Sequence, residues 1–239
     1  MSIWSWDMFF QYLFNRYLFM GVLTTIWLTI AAMFFGIILG LIAALCLLSK
    51  NRVVRFLGQV YTWVWRGSPL LVQILIIYTV LPLYRIRMDV VTSAIVALSM
   101  NEGAYLAEII RGGITSIRKG QFEAAKALGM TYPTMMWLII LPQAMRSIVP
   151  DLGNRIIGMI KGTSMVSVIG MAELLRRSTL LIQENFAILE IYVIATMYYL
   201  ILTTAWGTVQ KRIEAYFGRG YVDTTERKIR KLSTAEVEG

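Results

Sequence analysis

Two opposite charges stand in apolar stretches of the chain, where either alone is costly. Glu102, preceded by Asn101, falls near the middle of one stretch. Arg155 lies about ten residues into another, which also holds Asp151, Asn154, Lys161 and Ser164. In lipid such groups cost a few kcal/mol each on insertion scales, so they face a cavity or each other. A carboxylate can hold an ammonium, and a guanidinium can take a carboxylate through two parallel hydrogen bonds. Glu102 and Arg155 could therefore grip the two ends of a small zwitterion, with Asn101 and Asn154 adding neutral hydrogen bonds. Asp151, Lys161 and Ser164 complete the candidate substrate-binding set. A structural reading competes, in which Glu102 only neutralises Arg155 or Lys161. Asp151 also has the i,i+4 spacing for a local ion pair with Arg155. Both readings stay open. Glu108 and Arg111, three apart, read as a pair at the membrane interface.

Other chemistry finds little support. The chain has no histidine, which removes the commonest general base and metal ligand. Its one cysteine, Cys46, lies in an apolar run, so there is no disulfide framework and no metal cluster is expected. The nearest approach to a phosphate-binding loop, Gly153 to Gly158, has Met159 where a lysine is needed. No catalytic site is expected, and any ATP chemistry must reside on a partner.

The elements that must position these residues are long apolar helices. The 239 residues are 57% hydrophobic with mean hydropathy +0.64, the composition of a helical membrane protein. Five spans are expected, at about 21–48, 60–83, 90–111, 145–175 and 186–209. Pro69 should kink the second, with Arg66 snorkelling to the interface. Residues 1–20 are rich in Trp, Phe and Tyr and suit an interfacial segment outside the membrane. Residues 211–239 form a basic tail. Sixteen of the 23 Lys and Arg residues, from Lys50 to Lys231, fall on one side of this topology. Arg16, Arg85, Arg87, Arg176 and Arg177 fall on the other, and Arg155 and Lys161 lie within a span. The positive-inside bias places the 115–142 loop and the C-terminus in the cytoplasm and the N-terminus outside. The formal charge of +9 is that bias and implies no nucleic-acid partner.

That loop carries Glu123, Ala124 and Ala125, then Gly129 after three residues, Ile139 after nine more, and Leu141 and Pro142 after one. Physically it is a helical hairpin. A helix over 121–128 would have Glu123 in its first turn, where its charge suits the dipole. Gly129 would end that helix, Thr131 would cap the next, and Pro142 would stop or kink it. The spacing resembles the EAA loop of ABC-importer permeases at every fixed position. Arg66 to Gln73, Gly103 to Ile114 and Lys161 to Leu174 resemble further segments of permeases for polar amino acids, in the same order.

The resemblance covers about residues 21–210. It implies an all-α integral membrane protein of five transmembrane helices, with the coupling loop between helices 3 and 4. Glu123, Ala124, Ala125, Gly129, Ile139, Leu141 and Pro142 would contact the ATPase, with Met130, Met135, Met136 and Trp137 filling the coupling surface. It also implies ATP and Mg on ABC ATPase subunits, with no cofactor in this chain. A second permease subunit, identical or related, and an extracytoplasmic solute-binding protein delivering a polar amino acid complete the implied assembly. Two positions depart from the pattern. Gly162 replaces an acidic or amide residue, and Arg155 replaces an acid after Gly153-Asn154, which argues against a cationic substrate. An ion-coupled secondary transporter or channel using Glu102 and Arg155 is the alternative. The Gly36-to-Gly40 pattern, in an apolar helix, is expected to serve helix packing within the fold before any dimer contact.

Overall fold

The computed structural model describes residues 4–218, and among these all regular structure is helical. Ten helices follow in order: α1 Trp6–Leu13, α2 Arg16–Leu48, α3 Arg52–Gly67, α4 Leu70–Leu75, α5 Val90–Thr115, α6 Lys119–Ala127, α7 Tyr132–Met135, α8 Leu141–Gly162, α9 Leu174–Asn185 and α10 Ile188–Gly218. The part of the expected basic tail beyond Gly218, with Arg219, Arg227, Lys228, Arg230 and Lys231, lies outside the described residues.

Helices α2, α5 and α10 are each long and apolar enough to cross a membrane. Two bent pairs, one over residues 52–84 and one over 132–185, would each make a further crossing. The outer faces of α2 and α10 expose Ile30, Phe34, Leu45, Leu200 and Ile201, a surface that hydrocarbon satisfies and water does not.

The frame is α2 packed along α5. Gly36 and Gly40 lie in this seam: a Cβ on Gly40 would stand 2.7 Å from the Leu106 Cβ, and one on Gly36 3.1 Å from the Glu102 Cβ. Gly103 answers from α5, where a Cβ would meet the Leu39 Cβ at 2.8 Å. The small-residue pattern serves packing inside the fold, as expected. Leu28, Ala32, Ile74, Ala97, Leu98 and Val166 join α2, α4, α5 and the segment after α8 into the main core. A second core joins α1, α2, α9 and α10 through Phe9, Leu18, Leu174, Ile191 and Ile194.

The second span departs from expectation. Ser68 and Pro69 divide it into α3 and the α4 segment, which turn 104° from one another, so the helix has a corner and not a kink. Pro69 forces the preceding residue out of the α region, and Ser68 is extended (φ −109°, ψ 148°). A buried amide network fixes the corner. The Gln73 Nε2 donates to the Trp65 and Ser68 carbonyls at 2.9 and 3.0 Å, and Asn101 Nδ2 donates to the Trp65 carbonyl and the Gln73 Oε1, each at 2.9 Å.

The loop after α5 is a hairpin whose details differ from the sequence reading. α6 begins at Lys119, so Glu123 sits in its second turn, beyond the reach of the first-turn dipole argument. Gly129 does end it, at φ +71°. Its N–H donates to Lys126 and that of Met130 to Ala125, at 2.9 and 3.1 Å, closing both bonds of a Schellman cap. Thr131 stands at the N-cap of α7, but its hydroxyl meets that of Thr134 at 2.8 Å and caps no backbone N–H. Pro142 does not end the second helix. A π turn over Met136–Ile140 precedes it, and the chain continues into α8. The wider turn supplies an extra residue just before the proline, so no i→i−4 bond is demanded of its missing N–H.

Candidate functional site

The site grows from one face of α5. Residues 102, 105, 108 and 112 recur at helical spacing, and Gly36 presses α2 against the stem of Glu102. The Glu102 side chain is 1% exposed. Across from it, α8 presents Arg155, whose Nε and Nη2 donate to Glu102 Oε1 and Oε2 at 2.8 and 2.6 Å. This is the bidentate geometry that a guanidinium makes with a carboxylate. The ring of Tyr105 lies beneath the same guanidinium, 4.1 Å from its centroid to Arg155 Cζ. Arg155 is thus held by charge on one side and by a π face on another.

The other expected members scatter. Asn101 is buried, yet its amide is spent on Trp65 and Gln73 at the α3–α4 corner. Asn154 Oδ1 accepts from Gln210 Nε2 at 3.2 Å, tying α8 to α10. Asp151 forms no ion pair with Arg155, whose Nε and Nη2 are turned to Glu102. It lies instead along a cavity with Arg66, Tyr105 and Glu108. Lys161 is exposed and does not reach Glu102, and the Ser164 hydroxyl donates to the Lys161 carbonyl at 2.7 Å. Of the seven candidates, the structure brings together Glu102 and Arg155. The Glu108–Arg111 pair forms as expected, with Arg111 Nε donating at 2.8 Å and Arg66 Nη1 at 3.5 Å from the other carboxylate oxygen.

Sequence reasoning assigned Tyr105 no role, read Arg66 only as an interfacial side chain, and placed Gln73 only within a resembling segment. Tyr105 was reachable, since it follows Glu102 by three residues on the same helix face. Gln73, a lone amide in an apolar run, signalled a buried network but not its partners. Among the described residues no group of three His, Cys, Asp or Glu side chains could hold a metal ion.

The coupling-type residues divide between the hairpin's inside and outside. Ala125 is fully buried with Met135, Ile140 and Ala144, and Ile139 and Leu141 pack against them. Glu123, Ala124, Gly129 and Pro142 are exposed, beside the exposed apolar side chains of Leu128, Tyr132, Trp137 and Leu138.

Residues 36–217 match the model of the family described as binding-protein-dependent transport system inner membrane component. The chain belongs to that family. This transport component is 43% identical over 200 residues to the L-cystine transport system permease protein TcyB of Bacillus subtilis, covering 83% of this chain and 86% of the relative. It is 35% identical over 248 residues to the arginine transport system permease protein ArgU of Corynebacterium glutamicum, covering 98% and 78%. Its fold matches a chain from the crystal structure of an amino acid ABC transporter with histidines, with TM-score 0.80 and 36% identity over 84% of this chain and 94% of that one. The match begins at Gly36, the residue that presses α2 onto Glu102. The helices that build the pair therefore lie within the shared part of the transport component.

Proposed function

We propose that this chain is the membrane-spanning permease subunit of an ATP-driven ABC importer, moving a zwitterionic polar amino acid by alternating access. The observation that carries the reading is the Glu102–Arg155 pair. It stands between α5 and α8 with two charges matched in sign to an amino acid's ammonium and carboxylate. In this state each charge neutralises the other. A zwitterion can open the pair and offer both partners a replacement, so no charge is left alone in a low dielectric. The relatives named for cystine and arginine, and their permease designations, support an amino-acid substrate. Arg155 itself disfavours a substrate with a cationic side chain.

The hairpin over 115–142 is the surface offered to partner ATPase subunits, which would supply ATP and Mg. Glu123 and Ala124 are its outward polar and small faces, and Gly129 sets its bend. Ala125, Ile139, Leu141 and the helix through Pro142 carry motion from there into α8, and so to Arg155. A second permease subunit and an extracytoplasmic binding protein complete the importer, with the hairpin and C-terminus cytoplasmic and the N-terminus outside. Family membership does not favour the ion-coupled alternative.

The test is ATPase activity of the purified importer in liposomes, with its binding protein, across a panel of amino acids. One chemical class should stimulate hydrolysis, and Glu102→Ala and Arg155→Ala should abolish the stimulation while assembly survives. Stimulation that persists in both variants would remove the pair from the site. Failure of any ATPase to associate would overturn the importer reading.

A further inference from the structure

A second set of charges lies one to two turns further along α5. Arg66, from the last turn of α3, approaches Tyr105 and Glu108 of α5 beside a cavity of about 370 Å³, which Asp151 of α8 also lines. That volume falls at the lower end of small-molecule sites, the size suited to a single small ligand.

The charges there are unequally satisfied. Glu108 takes Arg111 at 2.7 Å, a close pair within one helix. Arg66 reaches the remaining oxygen of Glu108 only at 3.5 Å, and among the described residues its side chain makes no hydrogen bond. Its guanidinium is 5.5 Å from the Tyr105 centroid, loosely held compared with Arg155. Asp151 has no cation within 4.0 Å among the described residues. The cavity is thus bordered by one under-used guanidinium and one unpaired carboxylate, on different helices. Ser116 and Ser147 also line it, and their hydroxyls donate to the Gly113 and Ala144 carbonyls, which leaves oxygen lone pairs for an ammonium. Tyr105 lines the cavity while its ring carries Arg155, so this one side chain separates the cavity from the Glu102–Arg155 pair.

We propose that this cavity is a second binding station for a zwitterionic amino acid, with Arg66 taking the carboxylate and Asp151 the ammonium. The proposal rests on the reading of the chain as an amino-acid importer and adds a stop between the Glu102–Arg155 pair and the C-terminal end of α5. A substrate leaving the first pair moves one to two helical turns along α5, past Tyr105, and meets the same two charge signs again, so neither end crosses the apolar interior unpaired.

The test is equilibrium binding of radiolabelled L-glutamine and L-cystine to the purified permease–ATPase complex without its binding protein, counting sites per permease chain. Two sites are expected for one of these probes in the wild type. Asp151→Asn and Arg66→Gln should each leave one, Glu102→Gln should leave the other, and the Glu102→Gln/Asp151→Asn double variant should bind none. Arg66→Lys keeps the charge and should keep both sites, which separates loss of the station from loss of the fold. Asp151→Asn should also lower uptake in liposomes about tenfold, the scale of one charged hydrogen bond. A single wild-type site, lost in Glu102→Gln and untouched by Asp151→Asn and Arg66→Gln, would overturn the second station and leave the importer reading intact. Absence of wild-type binding for both probes would overturn the second station, and the importer reading would still be decided by ATPase association and stimulation.

Discussion

Removing one member of the Glu102–Arg155 pair should hurt the protein more than removing both. In Glu102→Met the side chain keeps the unbranched Cβ and Cγ on which Gly36 packs, but Arg155 loses both hydrogen bonds. Stranding one partner of a buried ion pair costs about 3–5 kcal/mol. Tyr105 faces the guanidinium in wild type and variant alike, so it offsets none of this and the net loss stays at about 3–5 kcal/mol. At about 2–4 °C per kcal/mol for a chain of this size, the thermal midpoint should fall by roughly 6–20 °C. The Glu102→Met/Arg155→Met double variant replaces the pair by apolar side chains of similar volume, a change that is commonly neutral or stabilising. Its midpoint should return to within about 2 °C of wild type by the same scaling. Thermal unfolding of the detergent-purified importer, followed with amino-acid-stimulated ATPase activity on the same samples, separates stability from function. Stability should recover in the double variant while stimulation stays absent. A stable double variant that still responds to substrate would refute the pair as a binding site. A Glu102→Met variant as stable as wild type would refute the pair itself.

Gly129→Val places a β-branched residue at φ +71° in an otherwise open position. The resulting strain of about 1–2 kcal/mol should distort the hairpin without blocking insertion. Uptake per ATP hydrolysed should fall, and Gly129→Asn, which tolerates that backbone region, should retain it; wild-type coupling in the valine variant would sink the assignment of the hairpin. Gly40→Val drives side-chain atoms into Leu106 and should lower stability by about 1–3 kcal/mol, read by thermal unfolding. Asn101→Ala leaves the Gln73 Oε1 without its donor, a loss of about 1–3 kcal/mol. The same variant should make the α3–α4 corner more accessible to protease, and unchanged proteolysis would separate the amide network from the corner.

The parts of this molecule that were legible in the sequence are those set by local spacing or by an isolated charge. Gly36 and Gly40 announce a close helix seam because four residues return to one face. Gly129 announces the end of α6 because a left-handed residue is needed there. Glu102 and Arg155 announce each other because neither can stand alone in an apolar helix, and their signs are opposite. What escaped was geometry decided by distant partners. Pro69 signals a bend, but the 104° corner depends on Asn101 reaching back to Trp65 and Gln73. Asn101 reads as a ligand beside Glu102, yet the next residue of a helix points about 100° away, toward a different neighbour. Asp151 and Arg155 have the right spacing for a pair, but the buried carboxylate on α5 holds the guanidinium in two bonds and outcompetes the exposed one on α8.

The π turn before Pro142 has a consequence for the rotational phase of everything after it. Each residue advances an α-helix by about 100°, so one surplus residue in a turn rotates the whole downstream segment by about that angle relative to an uninterrupted helix. Deleting a single residue between Met136 and Ile140 would regularise the turn and leave the hairpin's length almost unchanged. It would also swing the face of α8 that bears Arg155 roughly a quarter-turn away from Glu102. The azimuth of Arg155 is therefore set some fifteen residues upstream, inside the hairpin.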